Sequence, residues 1–126
     1  MKNRAFRHRL GFALAGLVTG WRRERSLRTH CGFALLAFAA LLVLRPEPVW
    51  WALVAISAAL VLALELLNAA IEGVIDLLHP ALNPEIKAIK DMVAGAVLLM
   101  SLAALAVALA MVVASERLRG WLALLA

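Results

Sequence analysis

The sequence predicts an all-α membrane protein, with an N-terminal amphipathic interfacial helix and three transmembrane helices forming a single domain over residues 1–126. Three observations carry that expectation. Hydrophobic residues make up 65% of the chain and charged residues 17%, with a mean hydropathy of +0.93, against about 45–50% and about 25% in soluble domains. Three apolar runs approach or exceed the length that crosses a bilayer. Basic residues are one-sided: eight of the thirteen Lys and Arg fall between Lys2 and Arg28. So apolar a chain is not disordered, and its single Cys31 has no partner for an internal disulfide. Too little chain remains for a separate nucleotide-binding domain, so any chemistry sits on the helices themselves.

Residues 1–28 read as the interfacial helix. Phe6, Leu10, Leu14, Leu17 and Trp21 recur at steps of four, four, three and four, one helical face. Lys2, Arg4, Arg7, Arg9, Arg22, Arg23, Arg25 and Arg28 would face anionic headgroups; no nucleic acid is expected as partner. A secretory signal peptide fits less well, because Ala13-Leu14-Ala15 would put cleavage inside the apolar run.

The first span, residues 29–45, holds an uncharged stretch from Cys31 to Leu44, closed by Arg45-Pro46-Glu47-Pro48. That stretch is short, so Arg28 and Arg45 would snorkel outward. The second span, residues 49–78, opens with the interfacial pair Trp50 and Trp51. Its length of about 45 Å exceeds a hydrocarbon core of about 30 Å, so its last turns should emerge into water. A polar link from His79 to Lys90 leads to the third span, residues 91–114, closed by Glu116, Arg117 and Arg119. The basic bias places the N-terminus and the 79–91 link on the cytoplasmic side. Gly16 and Gly20 read as a helix-packing pair, and His8, His30 and His79, which lack metal-ligand spacing, read as surface residues.

Five of the eight acids, Glu24, Glu65, Glu72, Asp76 and Asp91, lie in or beside these helices. Glu65, Asn68, Glu72 and Asp76 are separated by three, four and four residues and so share one helix face. That face runs from lipid into water, with Glu65 just inside the cytoplasmic boundary. Asp76 alone would pass as a solvated helix face, but an ionisable group at the depth of Glu65 marks a pathway, a partner or a reaction. A helix continued from Leu10 and Leu17 by steps of seven would turn Glu24 toward the bundle. Carboxylates with an amide suit a hard, oxygen-ligated cation, Mg²⁺ above all. Lys90 and Asp91 either add a phosphate-binding cation and a positioning acid or anchor the helix at the interface.

Three functions fit such a face: a cation-coupled transporter in which Glu65 exchanges ions, a small partner subunit with polar interhelical contacts, or phosphoryl transfer to a membrane-dissolved alcohol. Neither G-x-x-x-x-G-K-[ST] nor G-x-G-x-x-G is present, so no familiar ATP cradle exists.

The run Glu65-Leu66-Leu67-Asn68-Ala69-Ala70-Ile71-Glu72, with Asp76 and then Lys90-Asp91, resembles the prokaryotic diacylglycerol kinase family along nearly the whole chain. The resemblance implies a homotrimer in the bacterial cytoplasmic (inner) membrane, with active sites shared between subunits. It implies ATP as co-substrate, Mg²⁺ as cofactor, and a cytoplasmic site that makes phosphatidic acid in phospholipid metabolism. It also implies residue roles: Glu65 as general base toward the lipid hydroxyl, and Glu24 and Glu72 as metal-holding carboxylates that, with Lys90 and Asp91, bind nucleotide. Asn68, Arg28 and Asp76 would line the site. Ala69 replaces a usual Ser or Thr, and Phe12 stands where diacylglycerol-specific members can have Tyr. The runs Glu24-Arg25-Ser26-Leu27-Arg28-Thr29-His30 and His79-Pro80-Ala81-Leu82-Asn83-Pro84 look like the branch that phosphorylates undecaprenol, which makes undecaprenol the alternative substrate.

Overall fold

A computed structural model describes residues 5–126. Lys2 and Arg4 of the basic segment lie outside the described residues. Among those described, the chain is helical and contains no strand: α1 (Phe6–Arg23), α2 (Arg25–Leu44), α3 (Pro48–Leu78), α4 (Pro84–Ala114) and α5 (Glu116–Leu125). Three of these, α2, α3 and α4, are long and apolar enough to cross a membrane. This is the all-α membrane architecture that composition and periodicity predict.

The helix boundaries follow local chemistry. Pro46 disfavours the right-handed helical region for Arg45, and α2 ends with Arg45 in the left-handed conformation at φ 44°, its N–H donating to the Leu41 carbonyl. Pro48 at the first turn of α3 and Pro84 at that of α4 use positions where a missing N–H costs nothing. Asn83 caps α4, its side chain accepting from Glu85 N at 2.9 Å. Buried Ser115 caps α5, accepting from Leu118 N at 3.2 Å.

Three boundaries differ from the sequence expectation. The N-terminal helix does not run through residue 28: it breaks at Glu24, whose backbone is extended (φ −103°, ψ 111°). Residues 25–28 instead begin α2, which gives the helix of the first span 20 residues, long enough to cross a membrane around its shorter uncharged stretch. The break also cancels the heptad inference that aimed Glu24 inward. The helix of the third span starts at Pro84, because the polar link contains a complete N-terminal signal in Asn83, Pro84 and Glu85. The tail, read only as charges closing a span, forms α5.

α3 is central, packing most extensively on α4 and next on α2, with α1 laid across the ends of α2 and α3. Met111, Leu41, Leu44 and Val54 form the core at one end, joined by Trp50 and Trp51. Toward the other end Leu27, Val61, Glu65 and Val97 are buried. The outward faces of all three long helices are exposed Leu, Val, Ile and Phe, the arrangement expected where the surrounding solvent is as apolar as the core. On α1, Leu10, Leu14, Leu17 and Trp21 are all about half exposed, so the apolar stripe is not consumed by packing within the chain, as befits a helix lying in an interface.

Candidate active site

The acidic face of α3 grades in exposure along the helix. Glu65 is buried at 5%, Asn68 and Glu72 are half-buried, and Asp76 is exposed. The gradient follows from where neighbours end: α2 reaches α3 at Glu65 through Ser26 and His30, whereas the last turns of α3 lie beyond the start of α2, beside the first turns of α4.

Glu65 does not sit alone. Ser26 Oγ donates to Glu65 Oε2 at 2.9 Å, and His30 Nδ1 lies 3.0 Å from Glu65 Oε1. Ser26 and His30 are four residues apart on α2 and so share a face. Because α2 begins at Arg25, both belong to its first two turns. His30 Nδ1 also lies 3.1 Å from the Ser26 carbonyl, and His30 Nε2 lies 3.3 Å from Ser101 Oγ on α4. A polar chain Ser26–Glu65–His30–Ser101 thus joins three helices at the depth where apolar side chains would otherwise meet. His30 is therefore no surface residue: its side chain is 24% exposed, against 6% for Glu65. His8 and His79 are exposed, as expected.

Beyond this chain the site opens toward the ends of α3 and α4. Lys90 Nζ donates to Asp76 Oδ1 at 2.6 Å, while Asp91 pairs with Lys87 one turn earlier. The neighbours Lys90 and Asp91 thus turn to different partners. Asn68 Oδ1 is buried and accepts no hydrogen bond from any described residue. A buried amide oxygen without a donor is costly, which makes Asn68 a place for a donor from outside the chain. Arg28 donates to the Trp21 and Arg22 carbonyls at 2.7 and 3.3 Å, closing the end of α1 at the break. Of the glycine pair, Gly20 is the packing residue: a methyl group there would collide with Leu66 of α3, whereas Gly16 faces open space.

Glu24 is half-buried at the α1–α2 junction, and Glu72 is half-buried on α3. No group of three or more His, Cys, Asp or Glu side chains gathers as metal ligands among the described residues. Magnesium does not require such a cage, since it is ordinarily held by one or two carboxylates together with substrate phosphates and waters. Glu72 stands one turn from Asn68 on the same face of α3, and its carboxylate with the unsatisfied amide oxygen of Asn68 offers oxygen donors of the chemistry that ion takes.

Next to the polar chain, a crevice of about 510 Å³ runs between α2, α3 and α4, lined by His30 and Ser101 at one end and by Ala37, Val54 and Ala108 at the other. Its walls are almost wholly apolar.

Two comparisons with known proteins bear on this site. The model of the family described as prokaryotic diacylglycerol kinase matches residues 11–112. The chain is also 40% identical over 99 residues to a diacylglycerol kinase of Synechocystis sp., an alignment covering 76% of this chain and 55% of that protein. This chain therefore spans about half the length of that curated relative. No solved structure matches it.

Proposed function

The chain belongs to the prokaryotic diacylglycerol kinase family, and we propose on that premise that it transfers the γ-phosphoryl group of ATP to the hydroxyl of a membrane lipid alcohol, diacylglycerol first, giving phosphatidic acid. The observation that carries this reading is Glu65, a carboxylate 5% exposed in a helix of membrane-spanning length, beside a crevice with apolar walls. Phosphoryl transfer needs little covalent help. It needs the phosphates held, their charge neutralised and the nucleophile oriented. Glu65 supplies the basic carboxylate beside the lipid hydroxyl.

The soluble reagent would arrive at the exposed ends of α3 and α4. There Lys90 presents a cation to phosphate, with Asp76 orienting its ammonium group. Asn68 and Asp91 line the approach, and Arg28 stands at its edge. Glu24 and Glu72 would hold Mg²⁺, which when bound neutralises phosphate charge. The one-sided basic residues support an N-terminus and active site on the cytoplasmic face of a bacterial inner membrane. Family membership supports a homotrimer with shared sites, in which a neighbouring subunit or the nucleotide donates to Asn68 Oδ1.

Undecaprenol is the second candidate alcohol, because the Glu24–His30 run that resembles that branch delivers Ser26 and His30 directly to Glu65. Purified protein in mixed micelles, given γ-labelled ATP with either alcohol in parallel, tests both. Label should enter the organic-soluble product, with diacylglycerol the better acceptor. Labelling of undecaprenol alone would reassign the substrate, and labelling of neither would remove the kinase reading.

A further inference from the structure

The end of the bundle remote from Lys90 and Asp76 carries a second polar site that the proposed phosphoryl transfer does not use. Here α5 begins one residue after α4 ends, because Ser115 interrupts the helix in an extended conformation (φ −68°, ψ 115°). α5 lies beyond residues 11–112, the stretch that the family model matches. Its depth follows from α4, which carries no charge from Met92 to Ala114. Counted back from Ala114, about 30 Å of helix, the thickness of a hydrocarbon core, ends near Ala94. α5 therefore starts at the bilayer boundary opposite the one that Lys90 and Asp91 mark.

Leu118, Trp121, Leu122 and Leu125 follow at steps of three, one and three and form one face of α5. Leu118 packs on the core cluster of Leu41, Leu44, Val54 and Met111, whereas Trp121, Leu122 and Leu125 are 44%, 57% and 85% exposed. Arg117 donates to the Val43 carbonyl at 2.9 Å, so the first turn of α5 lies across the bundle end from α4 to α2. Those two contacts pin the start of the helix and leave the rest of its apolar face uncovered by the chain. Around the same start, Arg45, Arg117 and Arg119 line an open pocket of about 500 Å³ together with Glu47 and Glu116. Three guanidinium groups against two carboxylates leave one positive charge in excess, and no ion pair joins them among the described residues. The Arg45 side chain makes no hydrogen bond to any described residue.

We propose that α5 docks on the bilayer itself, with Trp121, Leu122 and Leu125 sunk among the upper acyl chains and Arg45, Arg117 and Arg119 taking phospholipid phosphates. Two observations select lipid over a second copy of the chain. The helix starts at the boundary where an apolar stripe flanked by arginines meets headgroups, and Trp50, a residue type of that boundary, borders the pocket. Guanidinium groups also match phosphate oxygens with paired hydrogen bonds. Glu47 and Glu116 hold the excess to one charge, so the pocket suits single phosphates and needs no densely anionic surface. With α1 at the opposite end, the bundle is then held at both membrane surfaces. Docking of α5 needs only the membrane-spanning fold and stands apart from the kinase reading.

Cys31 is the sole cysteine, so a Cys31→Ser chain accepts one environment-sensitive fluorophore at a chosen site. Leu122→Cys and Gly120→Cys place it on nearly opposite faces of α5, and Gly120 has open space around it. In vesicles of phosphatidylcholine and phosphatidylglycerol, the label at 122 should emit at shorter wavelength than that at 120. Brominated acyl chains should quench the label at 122, and aqueous iodide the label at 120. A label at 122 that iodide quenches as strongly as that at 120 overturns the docking. So does a label at 122 that neither quencher reaches, the result for a face covered by another copy of the chain. The headgroup contacts are read with the double variant Arg45→Gln and Arg119→Gln, which spares the Arg117 contact. In neutral detergent, added phosphatidylglycerol should raise the unfolding temperature of the unmutated chain, and inorganic phosphate at equal concentration should not. The double variant should show a smaller rise. An undiminished rise in that variant, or an equal rise with inorganic phosphate, overturns the headgroup assignment.

Discussion

Lys90 Nζ donates to Asp76 Oδ1 at 2.6 Å, clamping the end of α3 to the beginning of α4 across the 79–83 turn. The Lys90–Asp76 pair lies at the solvated end of the bundle, where screening by water leaves an ion pair little effect on stability. Under the proposed function its use is to aim the ammonium group at phosphate. Asp76→Asn should therefore leave thermal unfolding in detergent nearly unchanged while raising the KM for ATP several-fold. Lys90→Ala should raise it further. Steady-state kinetics with varied ATP reads both, and an Asp76→Asn variant with unaltered KM would detach this pair from nucleotide binding.

Gly20 is the point where α1 touches α3. A methyl group there meets the flexible ends of Leu66 and Leu27, the latter at 3.1 Å. These can rotate aside, so Gly20→Ala should be mild. Gly20→Val adds bulk that cannot be absorbed, and overpacking of this kind costs about 1–3 kcal/mol. It should also lower activity, because α1 and the Glu24 junction would lift away from the site. Thermal unfolding and turnover measured on both variants test this ordering.

Met111 is 1% exposed within the cluster of Leu41, Leu44 and Val54, far along the bundle from Glu65. Met→Ala in a soluble core costs about 2–5 kcal/mol. Between helices in lipid the transfer contribution falls away, since acyl chains are as apolar as the core, and the loss should sit near 2 kcal/mol. Met111→Ala should lower the unfolding temperature while leaving the KM for ATP unchanged, which denaturation and kinetics on the same preparation check.

The three long helices and the Glu65–Asp76 face are legible in the sequence because both depend on composition and helical period, which survive without tertiary information. The depth gradient from Glu65 to Asp76 follows from the same period. The break at Glu24 is not legible: no Pro or Gly marks it, and the stripe from Phe6 to Trp21 continues in register up to it. Its cause is tertiary, in the close approach of Gly20 to Leu66 and the capping of the α1 carbonyls by Arg28. His30 was missed as a site residue because metal-ligand spacing is the wrong criterion for it. The available signal is the pair Ser26 and His30, four residues apart at the start of a membrane helix, where two polar side chains on one face require a polar partner. Glu65 at matching depth on the next helix is that partner.

The most direct test of the account is the rate of γ-phosphoryl transfer by Glu65→Gln, compared with the unmutated protein at saturating ATP and lipid alcohol. Gln keeps the shape and the acceptor for Ser26 but removes the charge. Turnover should fall by at least about 100-fold, with ATP binding and the oligomer intact. Turnover within a few-fold of the unmutated protein would contradict the central claim that the buried carboxylate drives proton removal from the lipid.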